Sequence, residues 1–271
     1  MAKLTASVLR FCRPYPGLVT DAKAEGPELL APAFYTTVSR GWRRDWLAVL
    51  HPPYTAWNLA YVVIGACLAP HVDMVRLVAT MLAFLLALGI SAHVLDELHS
   101  RPLGTQIPRS VLIGAAVCGL VGALALGVVG VVDYVGPGLV VFMAIGTFFV
   151  LVYNLELFGG WFHNRFWLAS SWGGFTILTS YFAQTGRLSA GALLGAVAGS
   201  LLISVQYELS TPVRLVRRRA VSVGGTIALR DGSEIKLDAP VLLAPLERAL
   251  KGLALTAIAL AAALLVARLS L

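Results

Sequence analysis

The chain alternates between long apolar runs and short polar breaks, and no repeat at a fixed period stands out. Seven runs, at about 54–70, 76–95, 110–132, 137–155, 166–183, 190–207 and 250–268, are long enough, or nearly so, to cross a bilayer as helices. The breaks between them carry turn residues: Pro70 with Asp73, then Arg101-Pro102-Leu103-Gly104, Gly136-Pro137-Gly138 and Gln184-Thr185-Gly186. Ahead of the first run, residues 31–53 mix aromatic with basic side chains, including Phe34, Tyr35, Arg40, Trp42, Arg43, Arg44 and Trp46. That mixture predicts a helix lying in the headgroup layer, broken by Pro52-Pro53 where the first span begins. Between the sixth and seventh runs, alternating stretches at 226–229 and 234–237 flank Asp231-Gly232 and predict a β-hairpin.

The expected fold is therefore all-α, a polytopic helical membrane bundle of about seven transmembrane helices with a small cytoplasmic β-hairpin. Its expected organisation is an interfacial N-terminal segment at 1–53, a six-span membrane core at 54–207, a basic cytoplasmic segment with the hairpin at 208–249, and a seventh helix at 250–271.

Composition agrees with the pattern. Of 271 residues 58% are hydrophobic and 13% charged, with a mean hydropathy of +0.80. Soluble domains are about a quarter charged, so an ordinary cytosolic enzyme, a disordered chain and a secreted disulfide scaffold are all excluded. Cys67 and Cys118 lie inside apolar runs and, with Cys12, form no metal-type pair, so they read as reduced packing residues. The net charge of +7 reads as basic loops facing the cytoplasm and anionic lipid, with no nucleic acid as partner. With seven spans, all but three of the 21 Lys and Arg fall on the N-terminal side, and the exceptions are Arg76, Arg187 and Arg268. The N-terminus is accordingly expected in the cytoplasm and the C-terminus on the opposite side.

Polar groups in apolar spans are costly, so their positions carry information. The densest cluster, at 93–101, contains His93, Asp96, Glu97, His99 and Arg101 at the end of the second run. On a helix His93 shares a face with Asp96 and Glu97, and Asp96 with His99, a set that can hold a divalent cation. The fourth run ends in Tyr153, Asn154 and Glu156, followed by His163 and Arg165; the sixth ends in Glu208, followed by Arg214. The expected topology puts all of these on one membrane face, which predicts a site at the cytoplasmic mouth of the bundle. Within the fifth run, Trp172-Gly173-Gly174 and Tyr181 fit either an apolar pocket wall or close helix packing.

Across about residues 50–215 the order of these features resembles the UbiA superfamily of intramembrane prenyltransferases. The resemblance is carried by three stretches. These are His51-Pro52-Pro53 opening the first span, Asp96-Glu97 followed by Arg101-Pro102-Leu103-Gly104-Thr105-Gln106, and Trp172-Gly173-Gly174 running to Gln184-Thr185-Gly186. Of the family's first acidic motif only Asp96 carries over directly; the second is reduced to Gln206-Tyr207-Glu208. The resemblance implies a UbiA-like bundle that binds an isoprenoid or related lipid and transfers or cyclises its chain, with Mg holding the diphosphate. On that basis His93, Asp96 and Glu97 are the expected catalytic residues. Arg101, Arg165 and Arg214 are the expected phosphate contacts, and Tyr153, Asn154, Trp172 and Tyr181 complete substrate binding. Metal is expected at Asp96, Glu97 and Glu208. Two other readings stay open: a mixed Fe, Mn or Zn site of His93, Glu97, His99, Glu156, His163 and Glu208 acting on a lipid, and a non-catalytic lipid-binding or scaffold subunit that docks a protein partner at its hairpin.

Overall fold

A computed structural model describes residues 41–270. A short helix α1 (Trp42–Leu50) leads into α2 (Pro52–Cys67), α3 (Met74–Ser100), α4 (Arg109–Tyr134) and α5 (Leu139–Asn154). Then come α6 (165–185), α7 (Ala190–Arg219), the strands β1 (Gly225–Ala228) and β2 (Glu234–Leu237), and α8 (Ala239–Leu269). Each predicted apolar run overlaps one of the helices α2 to α8. By length and composition α3, α4, α7 and α8 are able to cross a membrane, while α5 is a shorter apolar helix. Large aliphatic side chains stand exposed along their outer faces, among them Val117 and Val121 on α4, Leu194 and Leu201 on α7, and Leu255 and Val266 on α8. Lipid tails are the solvent that such a belt fits, and the chain is a multi-pass membrane protein.

Helix starts follow from local chemistry. Asp73 accepts from the Val75 and Arg76 amides, Asn164 from Phe166 and Trp167, Ser189 from Ala192, and Asp238 from Val241. Pro52 and Pro53 occupy the first turn of α2, where their missing donors cost nothing.

Two helices widen into π-helical turns in mid-course, α3 over Leu85–Ala92 and α6 over Ala169–Phe175. A wider turn disturbs the regular backbone ladder, and in an apolar bundle the affected carbonyls need other donors. Side chains supply them. Ser91 Oγ donates to Leu86 O at 3.0 Å and to Ala116 O at 2.9 Å, and the His93 ring donates to Gly89 O at 3.2 Å. Trp172 O accepts from Asn58 Nδ2 and Thr176 Oγ1, each at 2.9 Å.

The core forms around α2, whose Trp57, Tyr61, Val62 and Ala66 pack with Leu77, Ile177, Ala254 and Ala257 from α3, α6 and α8. Trp57 Nε1 donates to the Tyr61 hydroxyl at 2.8 Å, and Ser180 Oγ ties α6 to Val62 O. Helix α6 meets α7 backbone to backbone at Gly173 and Gly199, and a Cβ on Gly173 would run into the Gly199 carbonyl.

Three boundaries differ from the sequence expectation. The helix ahead of α2 covers Trp42–Leu50, with Trp42 and Leu47 outward and Ala48 and Val49 buried; Phe34, Tyr35 and Arg40 lie outside the described residues. Helix α7 runs past residue 207 to Arg219, and α8 begins at Ala239 rather than 250. Their extensions continue as a paired stalk because Val213, Leu243 and Leu250 bury one another, and Arg217 Nε donates to Glu247 at 2.7 Å. The expected hairpin caps the stalk, antiparallel with Gly225 opposite Leu237 and Ala228 opposite Glu234. Its turn has Gly232 at φ 82°, and Ser233 hydrogen bonds to Asp231 hold that carboxyl below the usual carboxylate range.

Gly173→Val is expected to force α6 off α7 and to destabilise the bundle by about 1–3 kcal/mol or more, read as a lowered Tm in detergent. The same change at Gly114, where a Cβ meets nothing within 4 Å, is expected to be neutral.

Candidate functional site

The start of α2, the end of α3, the end of α5, the start of α6 and the stalk half of α7 enclose a polar cavity of about 290 Å³. That is near the lower bound of roughly 300 Å³ for small-molecule sites. Its lining includes His51 at the α1–α2 corner and Arg214 and Arg218 on the stalk half of α7.

The inner end is aromatic and amide. Trp57, Asn58 and Trp172 line it, and the His93 ring sits 5.3 Å from Trp172 and 5.0 Å from His51, centroid to centroid. His51 reaches this place because it forms the corner between α1 and α2 with left-handed backbone, φ 45°. A non-glycine residue in that conformation is strained, and here the strain aims an imidazole into the cavity.

The outer end carries the charge. Arg214 and Arg218 lie one turn apart on α7 and both line the cavity. Arg214 lies over the Tyr207 ring at 5.7 Å, and Arg218 Nε is buried with no hydrogen-bond partner among the described residues. Facing them are Asp96 on α3 and Glu156 just after α5. His163 stacks on Tyr153 at 4.5 Å, its Nδ1 bonded to Tyr153 O at 2.9 Å, and Glu156 sits between His163 at 4.0 Å and His99 at 3.9 Å. Asn154 also lines the cavity, its amide donating to Val150 O at 2.8 Å.

Thus eight of the sequence-derived residues meet in one place: His93, Asp96, Tyr153, Asn154, Glu156, His163, Trp172 and Arg214. Six others are placed elsewhere or are otherwise engaged. Glu97 is fully buried and faces the loop after α3, where its two oxygens accept from Leu103 N at 3.0 Å, Thr105 N at 2.9 Å and Thr105 Oγ1 at 2.8 Å. Arg101 closes the same loop by donating to Thr105 O and Ile107 O at 2.9 and 2.8 Å, so its guanidinium is engaged with the protein's own carbonyls. Arg165 and Glu208 pair with each other on an exposed face, where each completes the other's charge. His99 stands outside the cavity wall against Glu156. Tyr181 packs with Ala69 and Ala192 in a separate core cluster.

These assignments bear on metal. With Glu97 holding a loop and Glu208 paired outward, the cavity keeps two carboxylates, Asp96 and Glu156. Among the described residues no three His, Cys, Asp or Glu groups are placed to hold an ion together. A Mg ion in this cavity would have Asp96 and Glu156 as its carboxylate ligands.

His51 and Gln206, which belong to stretches that carry the resemblance, and Tyr54, Trp57, Asn58 and Arg218 also line the cavity, and none of the six is among the expected site residues. Asn58 carried a usable signal as a lone amide in the first apolar run, and Arg218 as the residue one turn beyond Arg214.

Behind Trp172 the cavity wall becomes the wall of an apolar cleft between α3, α4, α5 and α6, lined by Phe84, Leu88, Leu124, Phe142, Met143 and Phe175. A second apolar cleft shares Ala83, Phe84, Leu139 and Thr179 with it and extends toward Tyr134 and Val135 at the opposite end. Trp172 belongs to both the polar cavity and the first cleft.

No protein-family model, curated protein or solved structure matches this chain.

Glu97→Ala is expected to cost about 3 kcal/mol or more by leaving two buried amides and a hydroxyl unsatisfied. The loop at 101–108 should then gain rapid hydrogen exchange. Glu208→Ala, on an exposed pair, is expected to change stability by less than about 1 kcal/mol.

Proposed function

We propose that this chain is a divergent UbiA-like intramembrane enzyme that acts on an isoprenoid phosphate or diphosphate by prenyl transfer or cyclisation. The observation that carries the reading is the adjacency of two unlike spaces that share Trp172 as a wall: a cavity with Arg214 and Arg218 on one side, an apolar cleft on the other. An amphiphile with an anionic head and a branched hydrocarbon tail is the ligand class that fits both. On this reading the bundle spans the membrane seven times, the N-terminus is cytoplasmic, and the cavity opens to the cytoplasmic side.

The chemistry assigned to the residues is electrostatic. Breaking an allylic carbon–oxygen bond sends negative charge onto the phosphate, and two guanidiniums one turn apart are suited to receive it by charge-assisted hydrogen bonds. The allylic fragment left behind is cationic. Trp172, Trp57 and Tyr54 present aromatic faces or edges around the inner cavity, and such faces stabilise positive charge while excluding water. Asp96 lines the same cavity as the two arginines.

Farnesyl diphosphate binding to the purified protein tests the reading. Arg214→Ala and Arg218→Ala are each expected to weaken binding by about tenfold or more. Arg165→Ala, whose partner is Glu208, should leave it unchanged. Binding that is indifferent to both cavity arginines would overturn the proposal. Binding without consumption in the presence of native membrane lipid would favour the non-catalytic lipid-binding reading.

A further inference from the structure

The inner end of the cavity presents a buried hydrogen-bond acceptor that has no partner among the described residues. Asn58 is buried, and its amide nitrogen donates to Trp172 O at 2.9 Å. A carbonyl only accepts, so that bond fixes the orientation of the amide and turns Oδ1 away from it. Asn58 Oδ1 is buried and has no hydrogen-bond partner among the described residues. His93 is fixed by the same logic. Its Nδ1 is 3.2 Å from Gly89 O and must carry the proton, so in the neutral ring the lone pair is on Nε2. Both residues line the cavity, and Trp172 joins them, its carbonyl holding Asn58 and its indole packing on the His93 ring.

An orphaned, oriented acceptor beside an apolar cleft calls for a ligand that donates a hydrogen bond there. An ammonium donor is disfavoured by Arg214 and Arg218 in the same cavity. A hydroxyl carries no charge and meets no such repulsion. We propose that the inner end of the cavity is a hydroxyl subsite: an alcohol O–H donates to Asn58 Oδ1 or His93 Nε2 beside Trp172, while the alcohol's hydrocarbon part enters the cleft. The inference rests on the cavity and cleft forming one amphiphile site, and it adds an uncharged alcohol to the phosphate chemistry assigned to the arginines.

Titration of the full-length protein in detergent with farnesol, farnesyl methyl ether and farnesyl diphosphate, followed by tryptophan fluorescence, tests it. Farnesol and its ether share a chain and differ in the donor. Farnesol is expected to bind at least about fivefold more tightly than the ether. That preference should vanish in Asn58→Leu and shrink in His93→Phe. Equal affinities for alcohol and ether in the unaltered protein overturn the subsite. If farnesyl diphosphate still binds and still depends on Arg218, the broader amphiphile reading survives that result. If none of the three ligands binds, both fall together. The alcohol-to-ether comparison needs no variant, so a failure of Asn58→Leu to fold leaves the test intact.

Discussion

Inside an apolar bundle every backbone carbonyl must find a donor, and in this protein that requirement shapes the site. The π-helical turns at Leu85–Ala92 and Ala169–Phe175 disturb the helical ladder, and Ser91, His93, Asn58 and Thr176 supply bonds to carbonyls there. The side chains recruited for this duty include those that shape the inner cavity. Satisfying the backbone fixes the tautomer of His93 and the orientation of the Asn58 amide. Preorganisation of the polar end is thus a by-product of folding in a solvent that offers no hydrogen bonds.

Charge is distributed by a similar economy of partners. Glu97 is consumed by the loop after α3, Asp45 accepts from Gln106 N while pairing with Arg44, and Glu247 neutralises Arg217 on the stalk. Arg165 takes Glu208 on the outer face. What is left facing the cavity is a cationic pair with two carboxylates across from it. The excess of basic residues visible in the composition is therefore not concentrated in the cavity, where two arginines face two carboxylates.

The helices were legible because apolar runs of span length have few alternatives, and the hairpin because Asp231-Gly232 is strong turn chemistry between alternating residues. The site was legible in outline, since acids and imidazoles at successive span ends on one face do converge. Its details were not. Asp96 and Glu97 are neighbours in sequence, but a step of one residue turns a helix by about 100°, which sends one into the cavity and the other under the loop. Arg218 was hidden within a basic run at 217–219, whose members face different surroundings. The ends of α7 and α8 were misplaced because the polar residues that signalled a break instead decorate a stalk held by Val213, Leu243 and Leu250.

The π-helical turn of α6 also has a consequence for phase. One extra residue in a turn sets every later side chain back by about 100° around the axis relative to an uninterrupted α-helix. Gly173, within the turn, faces α7, while Ser180, beyond it, faces α2. The register of the whole second half of α6 is therefore set by the residue count between Ala169 and Phe175 as much as by residue identity. Along this stretch chain length itself is part of the code: a substitution alters one contact, whereas a change in length re-aims a helix.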